Sequence, residues 1–164
     1  MNDPMRILKA DHREVEKLLT KLADTEEGAD REALAEELVT KLTAHMKMEE
    51  SLIYPAVAEH VGAEDEEEAE VEHQLVREGL EKMEAMLEVP GFGAVVEMLK
   101  GGISHHVAEE ETQLLPELKD ALSREEWTAL GDSLVQAKEA AGMPVPKPPQ
   151  RKSTKRRPKS TKRS

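Results

Sequence analysis

The chain has 164 residues and a formal net charge of −12, and aromatic side chains make up 2% of it. So few aromatics leave Leu, Val, Ile, Met and Ala to build the core, which argues against a sheet protein, since strands draw on aromatic and β-branched residues. The lack of cysteine excludes disulfides and thiolate ligands, and no apolar run approaches the roughly 20 residues of a membrane-spanning helix, so a cytoplasmic location is expected.

Asp3 and Pro4 open the first helix as an N-cap followed by proline. Leu8, His12, Val15, Leu19 and Leu22 recur at helical spacing, which sets His12 within an apolar stripe. Thr25 to Ala29 reads as a turn, and Asp30 as the cap of a second helix with the stripe Leu34, Leu38, Leu42, His45, Glu49, Leu52, Ala56. Pro55 bends that helix without ending its path. The acidic run from Ala63 to Glu70 leads into a third helix with Ala69, His73, Val76, Leu80, Met83 and Leu87 inward. After the break at Val89-Pro90-Gly91-Phe92-Gly93, a fourth helix carries Val95, Leu99, Gly102, His106, Glu110, Gln113 and Glu117 on one line, flanked by Ile103 and Leu114. Ser123-Arg124-Glu125-Glu126 has the form of a capping box for a shorter fifth helix, with Trp127, Leu130, Leu134 and Ala137 on the side that packs over the bundle.

Residues 1–142 therefore read as one all-α domain. Residues 143–164 hold nine basic residues, five prolines and no acid, and read as a disordered tail. The preceding body sets fourteen basic residues against thirty-five acidic ones. Such a tail suits an anionic partner, either nucleic acid or an acidic surface, but without aromatics it is poorly equipped for sequence-specific reading.

Two stretches sixty-one residues apart, His45 to Pro55 and His106 to Pro116, share one pattern: His, three residues, Glu-Glu, four residues, Pro. Residues four apart on a helix project from the same face, so each stretch pairs an imidazole with a carboxylate. Polar groups among Leu and Val need partners, and a metal pair satisfies all six of His12, His45, Glu49, His73, His106 and Glu110. The mixed nitrogen and oxygen set is too soft for Ca or Mg and lacks the sulfur of a structural zinc site. Iron suits it best, with Mn or Zn admissible. Taken singly, an inward His is more often a hydrogen-bonded core residue, and His-x-x-x-Glu more often a surface ion pair. Four stripe-centred histidines on four successive helices reverse that judgement. A metal-free interaction module is the competing reading.

Around these six, His105 stands about 100° from His106 and flanks the site. Tyr54, five residues after Glu49, either packs or offers its phenol to a bound oxygen species. Glu50, Glu109 and Glu111 read as a solvated or supporting face. Gly79 and Gly102 leave room for a diatomic ligand or serve close helix packing.

Over about residues 4 to 120, these motifs resemble the hemerythrin-like, HHE cation-binding family. The resemblance implies an up-down four-helix bundle around two iron ions in a non-haem di-iron centre. It assigns His12 to helix one, His45 and Glu49 to helix two, His73 to helix three and His106 with Glu110 to helix four, the two carboxylates bridging. Oxygen-carrying members have two histidines one turn apart on helix three, whereas Ala69 and Arg77 lie four residues either side of His73. One iron then lacks an imidazole, and water, Tyr54, Glu70 or another Glu completes it. The implied function is binding or sensing of oxygen, nitric oxide or peroxide. The alternative is an enzyme that disproportionates or reduces hydrogen peroxide or nitric oxide, because carriers, sensors and enzymes share this fold. The Glu-x-x-His of ferritin-like bundles occurs once, at Glu70 to His73, and that architecture needs two.

Overall fold

The computed structural model describes residues 2–147, and among them the regular elements are all helical. Helix α1 spans Pro4–Asp24, α2 Ala29–Met48, α3 Tyr54–His60, α4 Ala63–Glu84, α5 Phe92–Glu109, α6 Leu115–Ala121 and α7 Arg124–Ala140. Single π-helical turns, Glu49–Ile53 and Glu110–Leu114, join α2 to α3 and α5 to α6 into two long rods. With α1 and α4 these make a ring of four rods joined by short connections, the all-α bundle that the apolar stripes require, and α7 packs against α1. None of these helices is long and apolar enough to cross a membrane.

The helix ends follow local chemistry, with two departures from expectation. Asp3 stands at the N-cap of α1 but makes no side-chain cap bond, because its carboxylate accepts from Trp127 Nε1 at 3.1 Å. Gly28, not Asp30, precedes α2. Its φ of 134° is a conformation that side-chain-bearing residues rarely adopt, and Asp30 lies in the first turn, where the helix dipole favours an acid. The acidic run forms the first turns of α4. At α7 the capping box closes: Glu126 N donates to Ser123 Oγ at 3.2 Å and Ser123 N to Glu126 Oε2 at 2.8 Å.

The two π turns have one cause. Pro55 and Pro116 lack an amide hydrogen, and their rings would collide with the carbonyl four residues back in an unbroken α-helix. Widening the preceding turn relieves this, and Tyr54 N then bonds Glu49 O while Leu115 N bonds Glu110 O. Ser51 Oγ and Thr112 Oγ1 donate back to the carbonyls of Lys47 and Ala108 at 2.7 and 2.6 Å. The extra residue rotates everything downstream. Ile53, Tyr54 and Val57 are buried where Leu52 and Ala56 were expected, and Leu114, Leu115 and Leu118 replace Gln113 and Glu117, which are exposed.

The interior is layered. One apolar cluster includes Leu19, Leu22, Leu38, Leu80, Met83 and Val96, and a second includes Ile7, Leu8, Ile53, Val57, Leu115 and Leu134. His12, His45, Glu49, His73, His106 and Glu110, all buried, lie on their helices between residues of the first cluster and residues of the second. Gly79 serves close packing, since a Cβ there would run into the Leu99 side chain. Gly102 is exposed and is not on the inward line.

Candidate metal centre

Each of the four inward histidines turns Nε2 toward the middle of the bundle. His12 and His45 from α1 and α2 bring these nitrogens to 3.1 Å, as do His73 and His106 from α4 and α5. Between the pairs lie the glutamates that open the π turns. Glu49 is 3.0 Å from His45 through Oε1 and 3.3 Å from His73 through Oε2. Glu110 is 3.3 Å from His12 through Oε2 and 3.5 Å from His106 through Oε1. Each carboxylate thus presents one oxygen to each histidine pair.

The outward ring nitrogens are held by a second set of carboxylates. Nδ1 of His12 meets Glu111 at 2.9 Å, that of His73 meets Glu50 at 2.9 Å, that of His106 meets Glu72 at 2.6 Å and that of His45 meets Asp11 at 3.4 Å. These partners repeat with the ligands: Asp11-His12 and Glu72-His73 are sixty-one residues apart, as are Glu50 and Glu111. A carboxylate on Nδ1 fixes the tautomer that leaves Nε2 free and makes it a better donor. Cations back three of the four. Lys138 pairs with Asp11, Arg77 with Glu50, and Arg13 with Glu111 at 2.8 Å, whereas Glu72 has the exposed His105 at 3.7 Å.

Charge inside the layer is strongly coupled. Burial works against a protonated His12, but the neighbouring carboxylates of Glu110 and Glu49 outweigh it and raise the imidazole to about 10. At His45 burial is outweighed by Glu49 and Asp11, giving about 9. His73 is raised as well, burial being overcome by Glu49 and Glu50. Burial alone would raise Glu49, yet His45, His12 and His73 hold it well below the carboxylate range. Burial and the charges of Glu49 and Glu110 push the Tyr54 hydroxyl far up, so it keeps its proton.

Tyr54 belongs to the site: its hydroxyl donates to Glu110 Oε1 at 3.1 Å and lies 2.9 Å from His73 Nε2. The π turn puts it there. Glu70 does not join, being exposed on α4, and His105 stays on the rim, 67% exposed and 3.4 Å from Glu109. A cleft of about 70 Å³ between α4 and the α5 rod reaches the layer past Ala69, Glu72, His106 and Glu110. Asp11, Glu72 and Lys138 were not singled out by sequence as parts of the site. The sixty-one-residue offset, extended upstream, finds the first two.

The residues fit a bound metal pair. Both oxygens of Glu49 and Oε2 of Glu110 are buried without a hydrogen-bond partner, a costly state for carboxylates that cations relieve. Among the described residues three donor groups have the spacing of a metal site: His12 with His45, Glu49 and Glu110, and His73 with His106 and Glu49, both buried, and Glu72 with His105 and Glu109 on the exposed rim.

Comparisons with known proteins point to a cation-binding domain. Residues 3–118 match the hemerythrin HHE cation binding domain. The chain is 33% identical over 106 residues to an uncharacterized hemerythrin-like protein of Schizosaccharomyces pombe, covering 62% of this chain and 52% of that protein. It is 28% identical over 121 residues to a protein of Nostoc sp. named DNA nickase, covering 73% of this chain and 34% of that one. It therefore spans about half and about a third of the length of these two relatives. In fold it matches the crystal structure of a hemerythrin HHE cation binding domain-containing protein from Mycobacterium kansasii, with a TM-score of 0.76 at 24% identity over 87% of this chain and 89% of that one. The chain belongs to the hemerythrin HHE cation-binding domain family.

Proposed function

We propose that this chain holds two iron ions side by side and uses them to bind or sense oxygen, nitric oxide or peroxide. The carrying observation is that Glu49 and Glu110 each turn one oxygen to the His12–His45 pair and the other to the His73–His106 pair. In this arrangement His12 and His45 would hold one ion and His73 and His106 the other, with Glu49 and Glu110 available to both. An iron pair in such a setting supplies reversible redox chemistry toward small oxygen and nitrogen ligands. The protein's own part is to keep water out with the apolar clusters, to admit small molecules through the cleft beside Ala69, and to hold a proton on Tyr54 at the His73 and Glu110 side. Of the two positions one turn from His73, where an oxygen carrier's second imidazole would stand, Ala69 lines the cleft and Arg77 pairs with Glu50; Tyr54 lies 2.9 Å from His73 Nε2, and Glu70 is exposed. Iron analysis and the optical spectrum of protein from iron-supplemented cells test this reading. Two irons per chain and a ferric charge-transfer band that changes with peroxide are expected; a colourless, zinc-filled protein contradicts it.

Tyr54 favours a second reading, turnover of peroxide or nitric oxide, because a phenol that keeps its proton and is held against Glu110, which lines the cleft, can hydrogen-bond a bound oxygen species. Oxygen evolution from hydrogen peroxide decides it. Activity above that of free iron, reduced in Tyr54→Phe and lost in Glu110→Ala, supports turnover, and none above free iron rejects it.

The basic tail is proposed to contact an anionic partner, and the relative named DNA nickase makes DNA the first to try. Met143–Lys147, the described start of that tail, has no regular secondary structure and is tied by Arg6, which donates to the Pro146 and Lys147 carbonyls at 2.9 and 2.8 Å. Residues 148–164, where the rest of the expected disorder falls, lie outside the described residues. DNA retention that falls with salt and vanishes on deletion of 148–164 is expected; retention surviving the deletion contradicts it.

A further inference from the structure

Helix α7 lies beyond the residues that match the family, yet it reaches the metal layer. Its side chains are cut to fit α1. Gly131 meets the Asn2 backbone where a Cβ would collide, Trp127 bonds Asp3, and Leu134 is fully buried. One turn on, where another leucine would suit the same face, the chain places Lys138, which is 0% exposed. Lysine is almost never buried to this degree unless it is paired. Lys138 Nζ donates to Asp11 Oδ1, and the other oxygen of Asp11 faces His45 Nδ1 at 3.4 Å. The equivalent carboxylate of the second half, Glu72, sits half-buried on the open cleft with only the exposed His105 behind it.

We propose that Lys138 is a positioning residue of the metal centre: it holds Asp11 against His45, so that docking of α7 and occupancy of the His12–His45 metal position are coupled. This rests on the two-metal reading above. Asp11 is fixed by a dry ion pair, and part of its charge is taken up by the ammonium. His45 is thereby kept in the tautomer that offers Nε2 inward by a carboxylate pinned at both oxygens, whereas Glu72 behind His106 is backed only by the exposed His105. The two metal positions are therefore unequal. By linkage, whatever α7 contributes to metal affinity the metal returns to α7 docking.

The test uses the full-length, metal-free chain titrated anaerobically with Fe(II) against a chromogenic chelator. Wild type is compared with Lys138→Met, Asp11→Asn and the double variant. Loss of a residue supporting a metal ligand costs about 10- to 100-fold in affinity. Lys138→Met is expected to weaken one of two equivalents by at least about tenfold and leave the other within about twofold. Asp11→Asn should do the same, and the double variant should be no weaker than Asp11→Asn alone, because the lysine acts through the aspartate. In the metal-free chain, the imidazole nitrogen resonances of His45 should shift in Lys138→Met while those of His106 stay in place. A lysine that only supports packing would lower the melting temperature and leave affinities and His45 resonances unchanged, which would overturn the proposal. Should Lys138→Met fail to fold, amide exchange in wild type decides: Fe(II) is expected to slow exchange in the last turns of α7 by about tenfold, within the usual span of allosteric coupling, and unchanged exchange there overturns it. A wild-type chain that takes up no Fe(II) would sink the metal reading, whereas wild-type uptake of two equivalents with unaltered uptake in Lys138→Met sinks this proposal alone.

Discussion

Tyr54 and Leu115 occupy equivalent places, each five residues after the glutamate that opens a π turn and sixty-one residues from the other, but only Tyr54 brings a polar atom to the metal layer. At this position the two halves of the bundle differ by one hydroxyl, placed on the side of His73 and Glu110. Tyr54→Phe is expected to retain two metals per chain and to cost about 1–3 kcal/mol, the range for leaving a buried polar group without its partner. Chemical denaturation reads the cost. If peroxide is turned over, its rate should fall with metal content unchanged; loss of a metal instead would show that the phenol is itself needed for binding.

The metal-free protein should be most stable near neutral to mildly acidic pH and weaken in alkali. Folding raises His45 to about 9 and His12 to about 10, so between about pH 6.5 and those values the native state binds more protons than the unfolded one. Stability from these groups is full below about 6.5 and is lost as pH rises through about 9 and 10. Glu49 has the opposite sign: its contribution is present above the ordinary carboxylate range and is lost as pH falls below it. Urea midpoints measured across this range check both limbs, and a flat profile from pH 6.5 to 10 would contradict the first.

Metal loading should raise the melting temperature, because ions bind only the assembled layer. At a free-metal concentration about a thousand times Kd, each site adds about 4 kcal/mol. His45→Ala and His106→Ala should each lose the increment of one position, and Glu49→Ala most of both. The same imidazoles must shed protons to bind metal, so apparent affinity should increase with pH toward 9. Calorimetric melting with and without chelator tests this, and equal melting temperatures in the two conditions would contradict it.

Gly79 and Gly102 should respond oppositely to alanine. A Cβ at Gly79 drives into Leu99, so Gly79→Ala should cost about 1–3 kcal/mol, the usual price of overpacking. At Gly102 nothing lies within 4 Å, and helix propensity alone predicts a gain of up to about 1 kcal/mol. Equal effects would show that the close approach of α4 and α5 is not what Gly79 serves.

The helices and the inward placing of six polar side chains were legible because their signal is periodicity: four histidines and two glutamates fall on stripes of Leu and Val, and all six are buried. What followed the π turns was not. A period of 3.6 carried past Glu49 and Glu110 selects Leu52 and Gln113, whereas the extra residue before each proline selects Ile53, Tyr54 and Leu114. The His-Glu-Glu-Pro repeat contains the cause, since proline cannot continue an unwidened helix there. Glu50 and Glu111 resemble surface acids until the opposite half of the bundle brings His73 and His12 against them. Lys138 carries no local signal at all, because its partner lies 127 residues away.

The central claim, that six donors from four helices converge on one pair of ions, is tested most directly by a crystal structure of the iron-loaded protein with anomalous scattering recorded at the iron edge. Two peaks are expected, one bordered by His12 and His45 and the other by His73 and His106, with Glu49 and Glu110 reaching both. A single peak, or peaks confined to surface carboxylates with the inner layer empty, would contradict it.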